Sequence, residues 1–351
     1  MGGSVAGLAA AIGLARADFA VTVVERDPGP ETHDGDEAFS QWERRSVAQF
    51  RQPHAFSSRS RNLLGERIPE VLERLRADGI DELNIFKTLA PPEIWKPEDD
   101  AFTGILARRP AFELALRLVA ETEPGVEILS PAVAVDLRCT RTDDGELHVM
   151  GIRLADGTRV DADVVLDCGG RRSPMTRWLA EHNVALPEIV QDCESTYYTR
   201  YYRRTASCAM PVIGIFALRG ETAGIRHIGF PGDHDTFGIL LWASSNDKPM
   251  RILRHNWAWE ATVRSIDGLA PWIDPANSTP VADVAVMAGH ENRRRQFMRD
   301  GRPLALNVLP VGDALCTTNP AYGWGASMAL TFAFSAVDAI VAHAGDPVAI
   351  A

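Results

Sequence analysis

Small and aliphatic residues recur at helical spacing over residues 8–17, directly behind a turn built from Gly2, Gly3, Ser4 and Gly7. The run AVTVVE that follows, residues 20–25, is apolar without alternation, the pattern of a strand buried on both faces of a parallel sheet. The chain therefore opens as turn, helix and strand, a βαβ unit without its first strand. Further on, ILARRPAFELALRLVAE (105–121) reads as an amphipathic helix with Pro110 in its first turn, the place where a missing N–H is harmless. Residues 161–181 read as a buried strand, a glycine turn and a helix. From Glu188 to about Asp267 the pattern changes to short strands, STYYTRYYRR, PVIGIFALRG, IRHIGFPG and DTFGILLWASS, separated by turns such as Pro231-Gly232-Asp233 and Asn246-Asp247. Residues 250–274 return to helical periodicity. Residues 306–340 form an apolar strand, Gly312-Asp313, a Pro-x-x-Gly-x-Gly turn and a small-residue helix. Repeats and low-complexity tracts are not visible.

Length and charge narrow these elements to a class. A chain of 351 residues exceeds the ~250–300 at which single cores stop growing, so two lobes are expected. A net charge of -11 argues against a nucleic-acid footprint, and the basic run Arg293 to Arg295 is expected to be a solvated helix face. Cys139, Cys168, Cys193, Cys208 and Cys316 are scattered, odd in number and free of C-x-x-C spacing, which suggests neither zinc nor a disulfide framework and fits a reducing cytoplasm. No metal site is expected. No window approaches ~18 uninterrupted apolar residues, and no signal peptide is read.

The opening turn carries chemistry. In a G-x-G-x-x-G fingerprint the first glycine makes the tight turn, the second admits a pyrophosphate and the third lets helix pack on strand. Here those positions are Gly2, Ser4 and Gly7; Ser4 is small enough to preserve the approach, and Val5 and Ala6 begin a helix whose N–H groups can face an anion. Glu25, followed by Arg26, falls about 20 residues on at the end of the second strand, where a carboxylate can accept both ribose hydroxyls of an adenosine. Turn, helix, strand and terminal acid together point to a dinucleotide.

The far end supplies a second contact. The turn with Glu25, the segment DADVVLDCGGRRSPMTRWLAE and the late Gly312-Asp313 segment together resemble the class A flavoprotein monooxygenases of the para-hydroxybenzoate hydroxylase and squalene epoxidase type, over nearly the whole chain. The resemblance implies FAD. Asp313 would bond a ribityl hydroxyl with Gly312 beside it, Pro320 would shape the turn by the flavin, and Gly323 and Gly325 would let the last helix face the isoalloxazine N1–C2=O edge. In the middle segment the family's aspartate would stand at Gly169 and is missing. Asp167, Gly170, Arg171 and Ser173 keep a variant pattern in which flavin binding survives, while reduction by NADPH in cis is put in question. Arg171 and Arg172 are phosphate or carboxylate contacts, or solvated charges. Residues 43–64 resemble the segment that folds against the flavin, with Arg45, Gln49 and His54 as contacts, although His54 reads equally as a core histidine. Arg109, with Arg108 as its rival, would lie near the flavin pyrophosphate.

The implied architecture is α/β: a discontinuous Rossmann-like FAD-binding domain of the GR2 flavoprotein type (1–65, 100–185 and 290–351) with an inserted, mostly antiparallel sheet domain (186–289) facing substrate. Tyr198 and Tyr202 share one face of their strand, and Tyr197 and Tyr201 the other, so at most two can line a cavity. Trp257 and Trp259 invite comparison with flavin halogenases, but the Trp-x-Trp is not followed by x-Ile-Pro and the halogenase lysine is absent. The implied activity is a monooxygenase using NAD(P)H and O2 through a flavin C4a-hydroperoxide on a small organic substrate. The alternatives are a reductase of the geranylgeranyl reductase type and a degenerate flavin-fold protein. Family members begin with a strand before the glycine turn and continue past the last helix. The chain as written is therefore expected to bind FAD weakly, and comparing its bound flavin absorbance with that of a version extended upstream by one strand tests this.

Overall fold

The computed structural model describes residues 1–54, 56–208, 210 and 218–351. The first part of the expected strand PVIGIFALRG, residues 211–217, lies outside them. In chain order the first lobe runs α1 (Val5–Ala15), β1 (Val21–Val24), α2 (Gly35–Gln41), α3 (Ser58–Arg67), α4 (Pro69–Ala77), β2 (Asp81–Asn84), α5 (Ile85–Leu89), β3 (Thr103–Leu106), α6 (Arg109–Thr122) and β4 (Val126–Leu129). A meander of β5 (Ala134–Arg141), β6 (Leu147–Leu154) and β7 (Arg159–Asp161) precedes β8 (Val165–Asp167) and α7 (Met175–Glu181). After β9 (Glu188–Asp192) come β10 (Ser195–Arg204), β11 (Gly220–Thr222), β12 (Ile225–Pro231), β13 (Thr236–Ser244), α8 (Asn256–Arg264), β14 (Ser278–Pro280) and β15 (Ala285–Met287). The chain returns through β16 (Glu291–Arg295), the small hairpin β17 (Met298–Arg299) and β18 (Arg302–Pro303), β19 (Val308–Pro310) and β20 (Cys316–Thr317) to α9 (Gly325–Ala342) and α10 (Pro347–Ile350).

Two parallel pairs, β1 with β4 and β8 with β19, form the spine of the first lobe. Met1 and Gly2 join them: the Gly2 N–H donates to the Val24 carbonyl at 2.8 Å, and the Cys168 N–H donates to the Met1 carbonyl at 2.8 Å. One core unites α1, α3, α4, α6 and α9, with Leu8, Ile12, Leu64, Leu116 and Leu330 fully buried in it. Helices α1 and α9 approach closely because Gly13 has no side chain: a Cβ there would stand 3.1 Å from Val337. Residues 66–99, which the sequence reading assigned to neither domain, belong to this lobe, since α4 packs in its core and β2 pairs with β3. Helix α9 has a mean hydropathy of 1.6 over 18 residues and among the described residues is the one helix long and apolar enough to cross a membrane, although Ser327, Thr331, Ser335 and Asp338 interrupt its apolar run. Here Leu330, Ala333, Phe334 and Val337 spend that apolar surface on the shared core.

The second lobe is an antiparallel sheet in the order β11-β12-β13-β10-β14, with β15 also paired to β10. Tyr198 and Tyr202 point to the side covered by α8, packing with Trp259 and Phe237, and Tyr197 points to the opposite face. The run Arg293 to Arg295 is not a helix face. It is strand β16, between β9 and β20, and Arg295 is buried because Glu188 receives its Nε at 2.9 Å. Three arginines in succession carry no periodicity, so the error lay in judging that run by charge alone.

The lobes are joined by buried charge. Arg108, just before α6, sends Nε and Nη2 to the two oxygens of Asp233 at 2.8 and 2.7 Å, while its backbone N–H donates to Oδ1 at 2.7 Å. Arg108 and Arg203 also bond Asp36 from α2. Asp36, Asp233 and His234 lie close enough to ligate a cation, but two guanidiniums already meet their charge. Burial disfavours the charged Asp233 carboxylate; hydrogen bonds from Arg108 and His234, with the charge of Arg108, outweigh it and hold its pKa below the ordinary aspartate value. A depressed folded pKa gives stability that is present above the unfolded pKa of ~3.9 and is lost as pH falls through the folded value. Asp233→Asn should therefore lower unfolding stability at pH 7 by ~3 kcal/mol, because it leaves the buried Arg108 guanidinium only the half-exposed Asp36 carboxylate to balance its charge. Denaturant titrations from pH 7 to 2 should show the variant losing less further stability on acidification than the wild type.

Candidate functional site

Between the lobes lies a cleft of about 1270 Å³. That exceeds the ~300–1,000 Å³ of a pocket for one drug-sized molecule. Its floor is the glycine turn and α1 start at one end and the turn 317–326 at the other, and its far wall is the β10–β12–β13 face of the sheet. The turn at residue 2 needs glycine: φ is +96° and a Cβ would lie 2.4 Å from the Cys168 carbonyl oxygen. Gly7 stands behind the cleft rather than in it; a Cβ there would sit 1.8 Å from the Gly2 carbonyl oxygen, so its absence lets α1 close down on the turn.

Both helices begin uncapped. Ser4 is the N-cap of α1 but makes no capping bond, and the first intrahelical donor is the Leu8 N–H to the Ser4 carbonyl at 2.9 Å. Trp324 precedes α9 without capping it, and the Met328 N–H is the first to close a turn, at 2.9 Å. Each start leaves N–H donors and the positive end of a helix dipole open toward the cleft.

Most of the residues singled out from the sequence meet here. Gly2, Ser4, Val5, Ala6, Glu25, Arg26, Arg45, Gln49, Arg109, Gly170, Asp313, Pro320, Gly323 and Gly325 line the cleft; Gly7 and Gly312 lie behind it. Gly312, at φ +63°, fits between Ala6 of α1 and Ala329 of α9. Three details differ from expectation. The Glu25 carboxylate already accepts the Gly3 N–H at 2.6 Å, the Asp27 N–H at 2.8 Å and Arg44 Nη2 at 3.0 Å, which leaves acceptor capacity for one ribose hydroxyl rather than two. Arg45 reaches only the rim, its side chain 87% exposed and paired with Glu43. Its neighbour Arg44 is the arginine that turns inward, bonding Glu25, Asp27, Glu113 and the Gly3 carbonyl. Adjacent arginines give no sequence signal to choose between them.

Of the pair at α6, Arg109 faces the cleft and Arg108 faces the lobe junction. Arg109 Nε donates to Glu113 Oε1 at 2.6 Å, Nη2 to Ser4 Oγ at 3.2 Å, and Nη1 lies 3.0 Å from His54 Nε2. Because arginine only donates, His54 Nε2 accepts and its proton resides on Nδ1, which donates to the Gln52 carbonyl at 2.8 Å. Burial, and then the charge of Arg109, pushes His54 down to about 3. His54 is thus both a packed histidine, stacked with Phe56, and part of the cleft.

Asp313 sits at the floor near Arg109, Arg171 and Arg295. Burial raises its pKa, those three charges pull it back, and its carboxylate has no hydrogen-bond partner among the described residues. Asp167, fully buried, is satisfied by Ser173 Oγ and the Gly169 N–H, so it fixes the middle turn and does not reach a ligand. A side chain at Gly169 would press on Asp167 Oδ1 at 3.0 Å. Arg171 lines the cleft, donates to the Gly289 carbonyl and has no carboxylate partner among the described residues; Arg172 is exposed. The sequence reading passed over His290 and Asn319. His290 stands 4.6 Å from the Tyr197 ring, donates through Nε2 to the Met287 carbonyl, and is lowered to about 4 by burial and Arg171. Tyr197 donates to Asn319 Oδ1 at 3.3 Å, and Asn319 caps the turn that leads into α9.

Comparison with known proteins fits this geometry. No family model matches the chain. Protein Rv3254 of Mycobacterium tuberculosis (strain ATCC 25618 / H37Rv) is 24% identical over 353 residues, covering 93% of this chain and 69% of its own length. Among solved structures, PqsL, a probable FAD-dependent monooxygenase from Pseudomonas aeruginosa, has a TM-score of 0.66 at 16% identity, covering 97% of this chain and 84% of its own. This chain shares the fold of PqsL. Aklavinone-11 hydroxylase, solved with FAD and aklavinone, has a TM-score of 0.63 at 18% identity, covering 97% of this chain and 61% of its own. The flavin-dependent brominase Bmp2 has a TM-score of 0.64 at 15% identity, covering 99% of this chain and 79% of its own. The fold is therefore shared by hydroxylases and halogenases, and the halogenase comparison made from Trp257 and Trp259 bears on motif only. Trp259 is fully buried and donates to the Tyr198 carbonyl behind the sheet, and Trp257 is exposed on α8; neither lines the cleft.

The neutral state assigned to His54 is directly measurable. Ring ¹⁵N chemical shifts should report the Nδ1–H tautomer with no titration between pH 8 and pH 5, whereas a histidine near its usual value of ~6.5 would titrate in that window.

Proposed function

We propose that this chain is an FAD-dependent monooxygenase, using NAD(P)H as reductant and O2 as oxygen source to oxidise a small organic substrate. One observation carries the reading: α1 and α9, one near each end of the chain, both begin uncapped at a single cleft whose opposite wall is the antiparallel sheet. The residues present suit an extended dinucleotide. The turn Gly2–Gly7 and the two N–H groups of Arg109 without partners among the described residues suit a pyrophosphate, Glu25 a ribose hydroxyl, and Asp313, half-buried and likewise without a side-chain partner among them, a ribityl hydroxyl.

Bound FAD would supply the electron transfer and the oxygen chemistry. The chain's part is electrostatic and spatial. With FAD bound, the N-terminus of α9 would offer positive partial charge to the N1–C2=O edge that becomes negative on reduction, and Gly323, at φ +67°, would set the turn that aims it. Ile228, Phe230, Leu240, Trp242 and Met287 form an apolar wall that excludes water from the region facing that turn. PqsL has been solved with 2-aminobenzoylacetate and aklavinone-11 hydroxylase with aklavinone, which supports a small organic substrate at the same wall here. Gly169, lacking the carboxylate of the usual pair, leaves the nicotinamide nucleotide without that contact.

The test is direct. Titration of FAD with the purified chain should give saturable quenching of flavin fluorescence, and Asp313→Ala should weaken FAD binding by about 10-fold, the worth of one hydrogen bond to a charged group. With organic candidates present, NAD(P)H oxidation should be matched by oxygen uptake. Oxidation without oxygen uptake supports the reductase reading instead, and a preparation that takes up no FAD removes both.

A further inference from the structure

Glu113 is fully buried at the second turn of α6, four residues after Arg109, and no part of the reading above uses it. An isolated carboxylate in that position would be strongly unfavourable, so its partners account for its presence. Oε1 accepts Arg109 Nε at 2.6 Å and Ser4 Oγ at 2.9 Å, and Oε2 accepts Arg44 Nη1 at 3.0 Å. One carboxylate thus joins the start of α6, the turn ahead of α1 and the loop that carries Arg44. These are the three segments that approach the end of the cleft where a pyrophosphate would lie.

The geometry at Arg109 gives this junction a direction. Of its five N–H groups, Nε is taken by Glu113, one on Nη1 by His54 and one on Nη2 by Ser4. Among the described residues one N–H on each terminal nitrogen has no partner, which leaves both nitrogens able to donate to an oxyanion in the cleft. Ser4 Oγ receives Arg109 and passes its own proton to Glu113, so the serine at the second fingerprint position orients an arginine and leaves the helix N–H groups uncapped for a ligand. We infer that Glu113 is a positioning residue for FAD: its negative charge aims Arg109, through Ser4, at the pyrophosphate, and through Arg44 holds Glu25 toward the adenosine ribose. This rests on the FAD reading and adds to it a residue that touches no ligand.

Glu113→Gln keeps the shape but presents an NH2 group to donors that need an acceptor. The experiment is a double-mutant cycle on FAD affinity, measured by flavin fluorescence quenching, with Glu113→Gln, Arg109→Gln and the double variant. Riboflavin, which has neither pyrophosphate nor adenosine, is the second probe, and melting temperature monitors folding. Glu113→Gln should weaken FAD binding by about 10–100-fold in the wild-type background, the range for hydrogen bonds to charged groups, and by less than about 3-fold when Arg109→Gln is already present. Riboflavin affinity should change little. Equal losses in both backgrounds, or equal losses for FAD and riboflavin, would overturn the inference by reducing Glu113 to a purely structural acid. Should the Gln variant fail to fold, Glu113→Asp, which keeps the charge and withdraws it by one methylene, is put through the same cycle with the same expected coupling. A wild-type chain that binds no FAD overturns the functional reading itself, a separate result from loss of coupling.

Discussion

Backbone N–H groups at a helix start need acceptors, and this chain leaves two such starts without side-chain caps on the same cleft. An uncapped start is not rare here: α3, α4, α6, α7 and α8 also lack a side-chain cap, while Asp34 accepts the Asp36 and Glu37 N–H groups at the head of α2, Asn84 the Lys87 N–H at α5, and Asp346 the Val348 and Ala349 N–H groups at α10. At α1 the serine in the capping position bonds Glu113 instead, and at α9 the position is a tryptophan. A capping side chain is worth ~1 kcal/mol. What sets α1 and α9 apart is their place: the two starts face one cleft from its opposite ends, where the helix dipoles call for negatively charged acceptors.

That requirement organises the charges around it. The floor near α1 holds three carboxylates, Glu25, Asp27 and Glu113, against two arginines, Arg44 and Arg109. An acid-rich floor under an anion site is unfavourable unless the acids are turned away from the ligand. Here Asp27 is absorbed by Ser46 and Arg44, Glu113 by Arg44, Arg109 and Ser4, and Glu25 by backbone N–H groups and Arg44. Arg44 directs four of its five N–H groups to these acceptors, which is why it is buried, while among the described residues Arg109 keeps two without a partner. At the other end of the cleft the arrangement is sparser. Asp313 and Arg171 stand without ionic partners among the described residues, which marks them as groups waiting on ligand chemistry rather than on folding.

Local pattern carried the parts of the fold that depend on short range. The glycine turn, α1, β1, the late Gly312-Asp313 turn and α9 are each set by steric demands that one residue type meets, as at Gly2 and Gly7, and these were legible. The strand of four tyrosines was legible too, because side-chain direction alternates along a strand irrespective of what it packs on. Long-range choices were not. Whether Arg44 or Arg45 turns inward depends on Asp27, Glu25 and Glu113, up to 69 residues away, and no window on the sequence contains that information. Arg293 to Arg295 form a strand because β9 and β20 flank them and Glu188 pairs with Arg295, a tertiary override of a charge pattern. Glu113 alone left a signal that could have been read, an acid four residues after an arginine at a helix start, although that spacing is common on exposed helices as well.

The two ends of the cleft are also tied to the sheet wall by different means, and this bears on how the molecule holds a ligand. At the α1 end, Arg108 with Asp233 and Asp36, and Gln52 with Thr199 and the Ala285 carbonyl, lock the lobes through buried hydrogen bonds that leave little freedom. At the α9 end the only side-chain tie among the described residues between β10 and the turn 317–324 is Tyr197 to Asn319 at 3.3 Å, a long neutral bond, and beyond it Tyr322 and Trp324 stand exposed. Buried charged contacts resist opening, whereas a single long hydrogen bond beside exposed aromatics does not. The α1 end of the cleft is thereby the fixed one and the α9 end the adjustable one. Under the proposed reading that asymmetry suits a catalyst that holds the nucleotide part of its cofactor at the first end while admitting and releasing a second molecule at the other.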